Sequence, residues 1–252
     1  EYLRRQVEVC AQTRGFIQPA PRALIGVRDV CQAIEGQLYD QPAAAKRRLR
    51  ETLSYILLDG RCPRQYSVPV KGRRSPADLR EFVDQGSWVV TAVHTFCATT
   101  GDLEFLNERL PYHRIDPKHP DTLERVDESD SVVAHLLRIM DYLERQRDPR
   151  TGLLRALYGD WNDALDGLGI AADPTQRFGS GVSVMASLHF YRNCAELIEL
   201  LEHDPAANHD ARIAEVRRIR ADLRRGLLDH ALAHHHGARR IVHGWGDGTV
   251  SY

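Results

Sequence analysis

The stretch Leu157-Tyr-Gly-Asp-Trp-Asn-Asp-Ala-Leu-Asp166 packs three carboxylates, an amide and an indole into ten residues of a 252-residue chain. Asp160, Asp163 and Asp166 recur at every third position, so a helical turn would set them on one face. Crowded carboxylates cannot all ionise cheaply, and one of them should keep its proton near neutrality. A group in that state can protonate a departing glycosidic oxygen, and Asp163 is the residue assigned this role. The run also reads as a capped helix start with Asp160 as N-cap. The two readings coexist if Asp160 caps and Asp163 does the chemistry. Trp161 has few apolar neighbours in sequence with which to build a core. Indoles stack on the C–H faces of sugar rings, so Trp161 reads as ligand-facing. Trp88, after Asp84-Gln-Gly-Ser87, and Trp245, in His243-Gly-Trp-Gly-Asp247, divide evenly between that role and packing.

Outward from this stretch the apolar pattern is helical, and strong strand signals are scarce. Helices are expected over Val30–Tyr39, from Pro42 to Leu57 with Asp59-Gly60 as its stop, and from Ser75-Pro76 to Thr99. Asp102 should cap a short helix through Leu110. Ser129 or Asp130 should cap one carrying Val133, Leu136, Leu137, Met140 and Leu143. Ser183–Leu201 and Ala211–Leu232 complete the set. The long intervening loops are 13–28, 60–75, 111–128 and 148–180. The expected fold class is all-α, a helical toroid or solenoid, with no tight repeat of the tetratricopeptide kind.

Hydrophobic residues are 42% and charged residues 27%, ordinary for a globular chain. A net charge of −1 gives no electrostatic case for nucleic acid or an anionic membrane surface. Basic runs such as Lys46-Arg-Arg48 read as solvated helix faces. No signal peptide and no bilayer-spanning run are seen, so a cytoplasmic location is expected. The five cysteines, Cys10, Cys31, Cys62, Cys97 and Cys194, are odd in number and widely spaced, which fits reduced thiols. His234–His236 adjoin one another and would point in different directions from a helix, so no metal site is expected there. Walker, Gly-x-Ser-x-Gly, His-Glu-x-x-His and dinucleotide signatures are absent.

Arginines gather in Arg14-Gly-Phe-Ile-Gln-Pro-Ala-Pro-Arg22 and Gly26-Val-Arg-Asp-Val-Cys-Gln32. Guanidinium forks bind carboxylate or phosphate in bidentate fashion, and Asp29 could accept two sugar hydroxyls. Arg28 and Asp29 equally read as a surface pair at a helix N-terminus.

Taken in order, these segments resemble one family. Gly26-Val-Arg-Asp-Val-Cys-Gln32 is similar to a Gly-aromatic-Arg-Asp-x-x-Gln segment. Asp84-Gln-Gly-Ser-Trp88 with Thr100-Gly-Asp102 is similar to an Asp-Asp-x-x-Trp and Thr-Gly-Asp pair. Gly159-Asp-Trp-Asn-Asp163 is similar to the most diagnostic motif. The family is that of inverting β-glycoside phosphorylases of the cellobiose and chitobiose phosphorylase type, with relatives in cyclic β-1,2-glucan synthases and β-glucan phosphorylases. The resemblance implies an (α/α)6 barrel whose long loops converge on the active site, with residues 1–252 as the N-terminal portion of that one catalytic domain. It implies Asp163 as general acid, and Arg22, Arg28, Asp29, Asp84, Trp88, Asp160 and Trp161 as substrate-binding residues. Arg14 would lie near phosphate. The departures are Gln85 for the second Asp, and Val182 and Met185 in Ser180-Gly-Val-Ser-Val-Met185 for a Glu and a Trp. About seven expected helices are too few for twelve, so a fragment, or one chain of a larger assembly, is inferred.

The expected reaction is phosphorolysis of a β-linked gluco-oligosaccharide to an α-sugar-1-phosphate with inversion. One acid suffices when the nucleophile is already an anion, whereas an inverting hydrolase needs a second carboxylate about 6.5–9.5 Å away. No cofactor is expected; phosphate is a co-substrate and a glycan the partner, with a homodimer one allowed assembly. A hydrolase or transglycosylase on the same barrel, a non-catalytic helical interaction protein, and a fragment that binds glycan without turning it over are the alternatives.

Overall fold

The computed structural model describes residues 1–6, 24–68, 76–235 and 238–247. Residues 2–6 are helical, and six longer α-helices follow: α1 (Val27–Gln37), α2 (Pro42–Ser54), α3 (Gln85–Thr100), α4 (Val132–Arg145), α5 (Val184–His203) and α6 (Asp210–His230). Four two-stranded antiparallel sheets join them: β1 (Ile25–Gly26) with β2 (Gln65–Tyr66), β3 (Arg109–Asp116) with β4 (His119–Ser131), β5 (Val182–Ser183) with β8 (Gly244–Trp245), and β6 (Leu232–His235) with β7 (Ala238–Ile241). The protein is therefore helix-rich, and the all-α expectation was too narrow. The chain forms two compact units, residues 1–80, 88–139 and 203–207 in one and 81–87, 140–202 and 208–252 in the other.

In the first unit α1 buries Val27, Val30, Cys31 and Ile34, spaced as one helical face, and α2 buries Ala45, Leu49 and Leu53. Each of the buried Val, Ile and Leu side chains is worth about 1.5–3 kcal/mol. Pro42 opens α2 as expected, but the helix stops at Ser54; Ile56 and Leu57 are buried in the segment that follows. Lys46 is not on a solvated face. Its ammonium lies 2.6 Å from Asp102 and 2.7 Å from Glu108, and Arg50 grips Glu108 through Nε and Nη2 at 2.6 and 2.7 Å. The Arg50 guanidinium holds the Glu108 carboxyl below its ordinary range.

The largest departure from the sequence reading is the β3–β4 hairpin, which occupies the region read as a loop. Its strands pair from Arg109↔Ser131 to Asp116↔His119 across a two-residue turn, with a register shift next to Pro111. Asp116 Oδ1 accepts from Lys118 N at 2.8 Å within that turn. The hairpin escaped notice because β4 is mostly polar, with six charged residues of thirteen, and lacks the apolar alternation that marks a half-buried strand. Two helix starts also move. Residues 76–82 are extended, and the helix begins at Gln85 because Phe82 is drawn into β-bridges with Leu157 and Gly159. α4 starts at Val132, where Ser131 Oγ, rather than Ser129 or Asp130, accepts from Ala134 N at 3.2 Å. Asp102 precedes a 3-10 turn (Leu103–Asn107) without a side-chain cap bond.

Among the described residues no helix is long and apolar enough to cross a membrane. Cys31, Cys62, Cys97 and Cys194 are free and buried, and Cys10 lies outside the described residues.

Gly60 sets how closely the chain after α2 approaches α4. It adopts φ +88°, and a Cβ there would stand 1.9 Å from the Arg138 carbonyl oxygen. Gly60→Ala is predicted to lower stability by roughly 2–4 kcal/mol, the left-handed penalty plus backbone overpacking, seen as an earlier midpoint in urea unfolding.

Candidate active site

The Gly-Asp-Trp-Asn-Asp run lies in the second unit on a loop that is pinched at its base. Tyr158 N donates to Glu81 O at 2.9 Å, and Gly159 O accepts from Val83 N at 3.0 Å. Gly167 N donates to Tyr158 O at 2.6 Å, which closes residues 158–167 on themselves in the manner of an Ω-loop. Glycine is required at the pinch: a Cβ on Gly169 would stand 2.3 Å from Leu157 O. Leu157, fully buried at the entry to the loop, takes φ +51°, a conformation that an L side chain adopts at a cost of about 1–3 kcal/mol.

Within the loop the three aspartates do not share a face. Asp163–Leu165 is a single 3-10 turn whose N-cap is Asn162, not Asp160; Asn162 Oδ1 accepts from Ala164 N at 3.2 Å. Asp163 and Asp166 are exposed, and Trp161 keeps 54% of its surface open to solvent. The Asp166 carboxylate folds back over Gly159, where a Cβ would meet Oδ1 at 3.2 Å.

Asp160 turns the other way. It is 2% exposed. Oδ2 accepts from Ser183 Oγ at 2.5 Å, and His243 Nε2 lies 2.9 and 3.0 Å from the two carboxylate oxygens. Oδ1 also accepts from Asn162 N at 2.8 Å. A carboxylate so engaged supports the loop from within. Asp160 is thus held on the inner side of the loop, opposite the exposed Trp161 and Asp163.

Its partners are themselves fixed. β5 pairs with β8 as Val182↔Trp245 and Ser183↔Gly244. The His243 carbonyl accepts from Val184 N at 2.9 Å and Met185 N at 3.2 Å, so it caps α5 while its ring meets Asp160. Ser183 Oγ accepts from Ala186 N at 2.9 Å. Trp245, partly buried, packs against a cluster of Leu153, Val182, Val184, Leu227 and Ala231.

A second aspartate clasps the rim. Asp247 accepts from Ser180 Oγ (2.7 Å), Ser180 N (3.0 Å) and Ala172 N (3.0 Å). The Ser180 hydroxyl, with the two amides, holds its carboxyl down at about 2. Gly179 is needed there, because a Cβ would fall 2.3 Å from that carboxylate. Between clasp and loop runs an open groove of about 540 Å³, lined by Leu165, Asp166, Ile170, Ala172, Gly246 and Asp247. That is within the usual size range for small-molecule sites.

Of the other expected residues, Asp84 belongs to this second unit but is fully buried, with Gln85 Nε2 3.4 Å from one carboxylate oxygen. In the first unit Arg28 and Asp29 lie half-buried in the first turn of α1, and Trp88 is half-buried on α3. The Asp29 carboxylate lies over Gly26, where a Cβ would be 2.1 Å from Oδ2; this accounts for the glycine of that motif. Arg14 and Arg22 lie outside the described residues. No group of three or more metal-ligating side chains occurs among the described residues. Reading the sequence missed His243, Ser183, Ser180 and Asp247. The conjunction of His243 and Asp247 with two glycines and a tryptophan was their one visible signal.

The described residues are helix-rich, and the Gly-Asp-Trp-Asn-Asp loop is the feature that places the chain among carbohydrate-active families. Residues 2–239 match the glycosyl hydrolase 94 superfamily catalytic domain, and the chain belongs to that family. Solabiose phosphorylase of Paenibacillus borealis is 30% identical over 201 residues, 79% of this chain and 22% of its own length. N,N'-diacetylchitobiose phosphorylase of Vibrio furnissii is 26% identical over 229 residues, and 25% of its length is covered, 79% of this chain. The cyclic β-(1,2)-glucan synthase NdvB of Rhizobium meliloti is 27% identical over 157 residues, 60% of this chain and 5% of that protein. The chain thus spans about a quarter of the length of the two phosphorylases. A metal-independent α-mannosidase of Streptococcus pneumoniae shares the fold at TM-score 0.57 and 11% identity, covering 87% of this chain and 54% of that one.

The Asp247 clasp carries a prediction about pH. A carboxyl held low in the folded state stabilises it above the ordinary carboxylate value, and that contribution disappears as pH falls from about 4 to about 2. Asp247→Asn is predicted to melt earlier than the parent at pH 6, with the gap narrowing toward pH 3 in a series of thermal melts.

Proposed function

We propose that the protein containing this chain is an inverting glycoside phosphorylase, which cleaves a β-linked gluco-oligosaccharide with inorganic phosphate to an α-sugar-1-phosphate and a shortened glycan. The observation that carries the reading is the pinched loop that offers Trp161 and Asp163 to solvent while its neighbour Asp160 is anchored inside. Membership of a family whose phosphorylases match this chain supports it. We further propose that the helices form part of an (α/α)6 barrel.

In this reading a phosphate oxygen attacks the anomeric carbon from the face opposite the leaving group. The new C–O bond forms as the glycosidic C–O bond breaks, which inverts the centre. Asp163 passes its proton to the departing oxygen and is left as carboxylate. Trp161 stacks on a sugar ring beside the scissile bond. Arg22, Arg28, Asp29 and Trp88 hold the glycosyl unit, and Arg14 helps to hold phosphate. Asp84, being buried, shapes its segment.

A transglycosylating or hydrolytic enzyme is the second reading, favoured by the match to the cyclic glucan synthase and by Val182 and Met185 at the departing positions. Incubation of the full-length protein with β-1,2-, β-1,3- and β-1,4-gluco-oligosaccharides, with and without phosphate, separates the two. Sugar phosphate released only with phosphate present is the expected result; turnover indifferent to phosphate would sink phosphorolysis. Asp163→Asn should lower the rate by about 10²- to 10⁴-fold. Trp161→Ala should raise KM by about two- to tenfold, the worth of one ring contact, in steady-state assays.

A further inference from the structure

We propose that His243 and Ser183 are positioning residues for the acid on Asp163, acting through the buried carboxylate of Asp160. The proposal rests on the reading of Asp163 as general acid and assigns a role to two residues that the sequence analysis left without one.

The loop is held at its base by backbone contacts at Tyr158, Gly159 and Gly167, and these fix its neck but not its tip. Trp161, Asp163 and Asp166 are exposed. Asp160 is the buried side chain of the tip, three residues before the acid. Its carboxylate joins two elements remote in sequence: Ser183, 23 residues away at the start of α5, and His243, 83 residues away just before β8. Those elements are rigid, since β5 and β8 pair with each other and the His243 carbonyl caps α5. The carboxylate reaches back to the acid through Asn162. Asp160 Oδ1 accepts from Asn162 N at 2.8 Å, Asn162 Oδ1 accepts from Ala164 N at 3.2 Å, and Asn162 O accepts from Leu165 N at 2.8 Å. Those last bonds build the 3-10 turn on which Asp163 stands. Removing the anchor therefore releases the turn that aims the acid. Nε2 must carry the proton of the His243–Asp160 bond, so the ring acts here as donor and fixed strut.

An acid displaced by about 1 Å loses on the order of 10²-fold in rate, while a groove lined by other residues continues to bind. The test uses the full-length protein with His243→Ala, His243→Gln and Ser183→Ala, and Asp163→Asn as the reference for the acid itself. Glutamine offers an amide N–H near the position of Nε2. Three measurements are made: kcat and KM for oligosaccharide with phosphate, the melting temperature, and amide hydrogen exchange over residues 159–166. For His243→Ala, kcat is expected to fall by about 10- to 100-fold. KM should move less than about threefold, and exchange at Asn162, Ala164 and Leu165 should rise. His243→Gln should recover most of both, and Ser183→Ala should show the same pattern as His243→Ala.

Unchanged kcat and exchange in His243→Ala would overturn the proposal. So would a fall in kcat that tracks the melting temperature and is not recovered by glutamine, because that pattern means general loss of fold. If Asp163→Asn keeps full activity, the acid assignment fails separately, and the exchange data alone decide whether His243 and Ser183 hold the turn.

Discussion

A carboxylate taken out of water must be met by donors, because an unpaired buried charge costs several kcal/mol. Asp160 meets that condition with a hydroxyl, an imidazole and a backbone amide, each at 3.0 Å or less. Satisfying it forces three stretches of chain to one point. The loop must turn inward at 160, α5 must begin at 184 with Ser183 facing back, and the segment before β8 must bring His243 alongside. The other details of the second unit follow from that convergence. They include the Ser183–Ala186 cap, the β5–β8 pairing and the packing of Trp245 over Leu153, Val182 and Leu227.

The loop also shows how stability and function divide among neighbouring residues of one motif. Glycines at 159 and 169 are fixed by close approach, to Phe82 and Asp166 in the first case and to the Leu157 backbone in the second. Leu157 accepts a left-handed backbone as the chain enters the loop. Asp160 faces the core, whereas Trp161 and Asp163 face solvent. This division over four residues is possible because the stretch is irregular at 160–162, with a bend at Trp161, and becomes a 3-10 turn only afterwards. A regular helix from 160 would have lined the carboxylates up and left the loop unanchored.

Much of this was legible in the sequence, and the failures have physical causes. Helices α1, α2, α5 and α6 were found within a few residues because their apolar positions recur at helical spacing. The Gly-Asp-Trp-Asn-Asp motif pointed to the family to which the chain belongs, and glycine at 26 was explained once Asp29 was seen lying over it. The β3–β4 hairpin was not found, because charge on β4 erased the alternation that betrays a strand. The three-residue spacing of Asp160, Asp163 and Asp166 suggested a shared face, but spacing carries no information about where a helix begins. Asn162, with its shorter reach to Ala164, took the capping position. His243 stayed hidden because its partner is 83 residues away, and pairing over that distance leaves no local pattern.

That same separation bears on how the protein is made. Contacts between residues far apart in sequence form late, since the intervening chain must first be ordered. As the polypeptide emerges from the ribosome, the loop at 158–167 and the start of α5 are available long before His243 is. Until then the Asp160 carboxylate lacks the imidazole that meets both its oxygens in the folded protein. The turn at Asp163–Leu165 therefore reaches its final setting only after the β6–β7 hairpin has been synthesised and folded back, which places the setting of this loop at the end of the region's assembly rather than at its beginning.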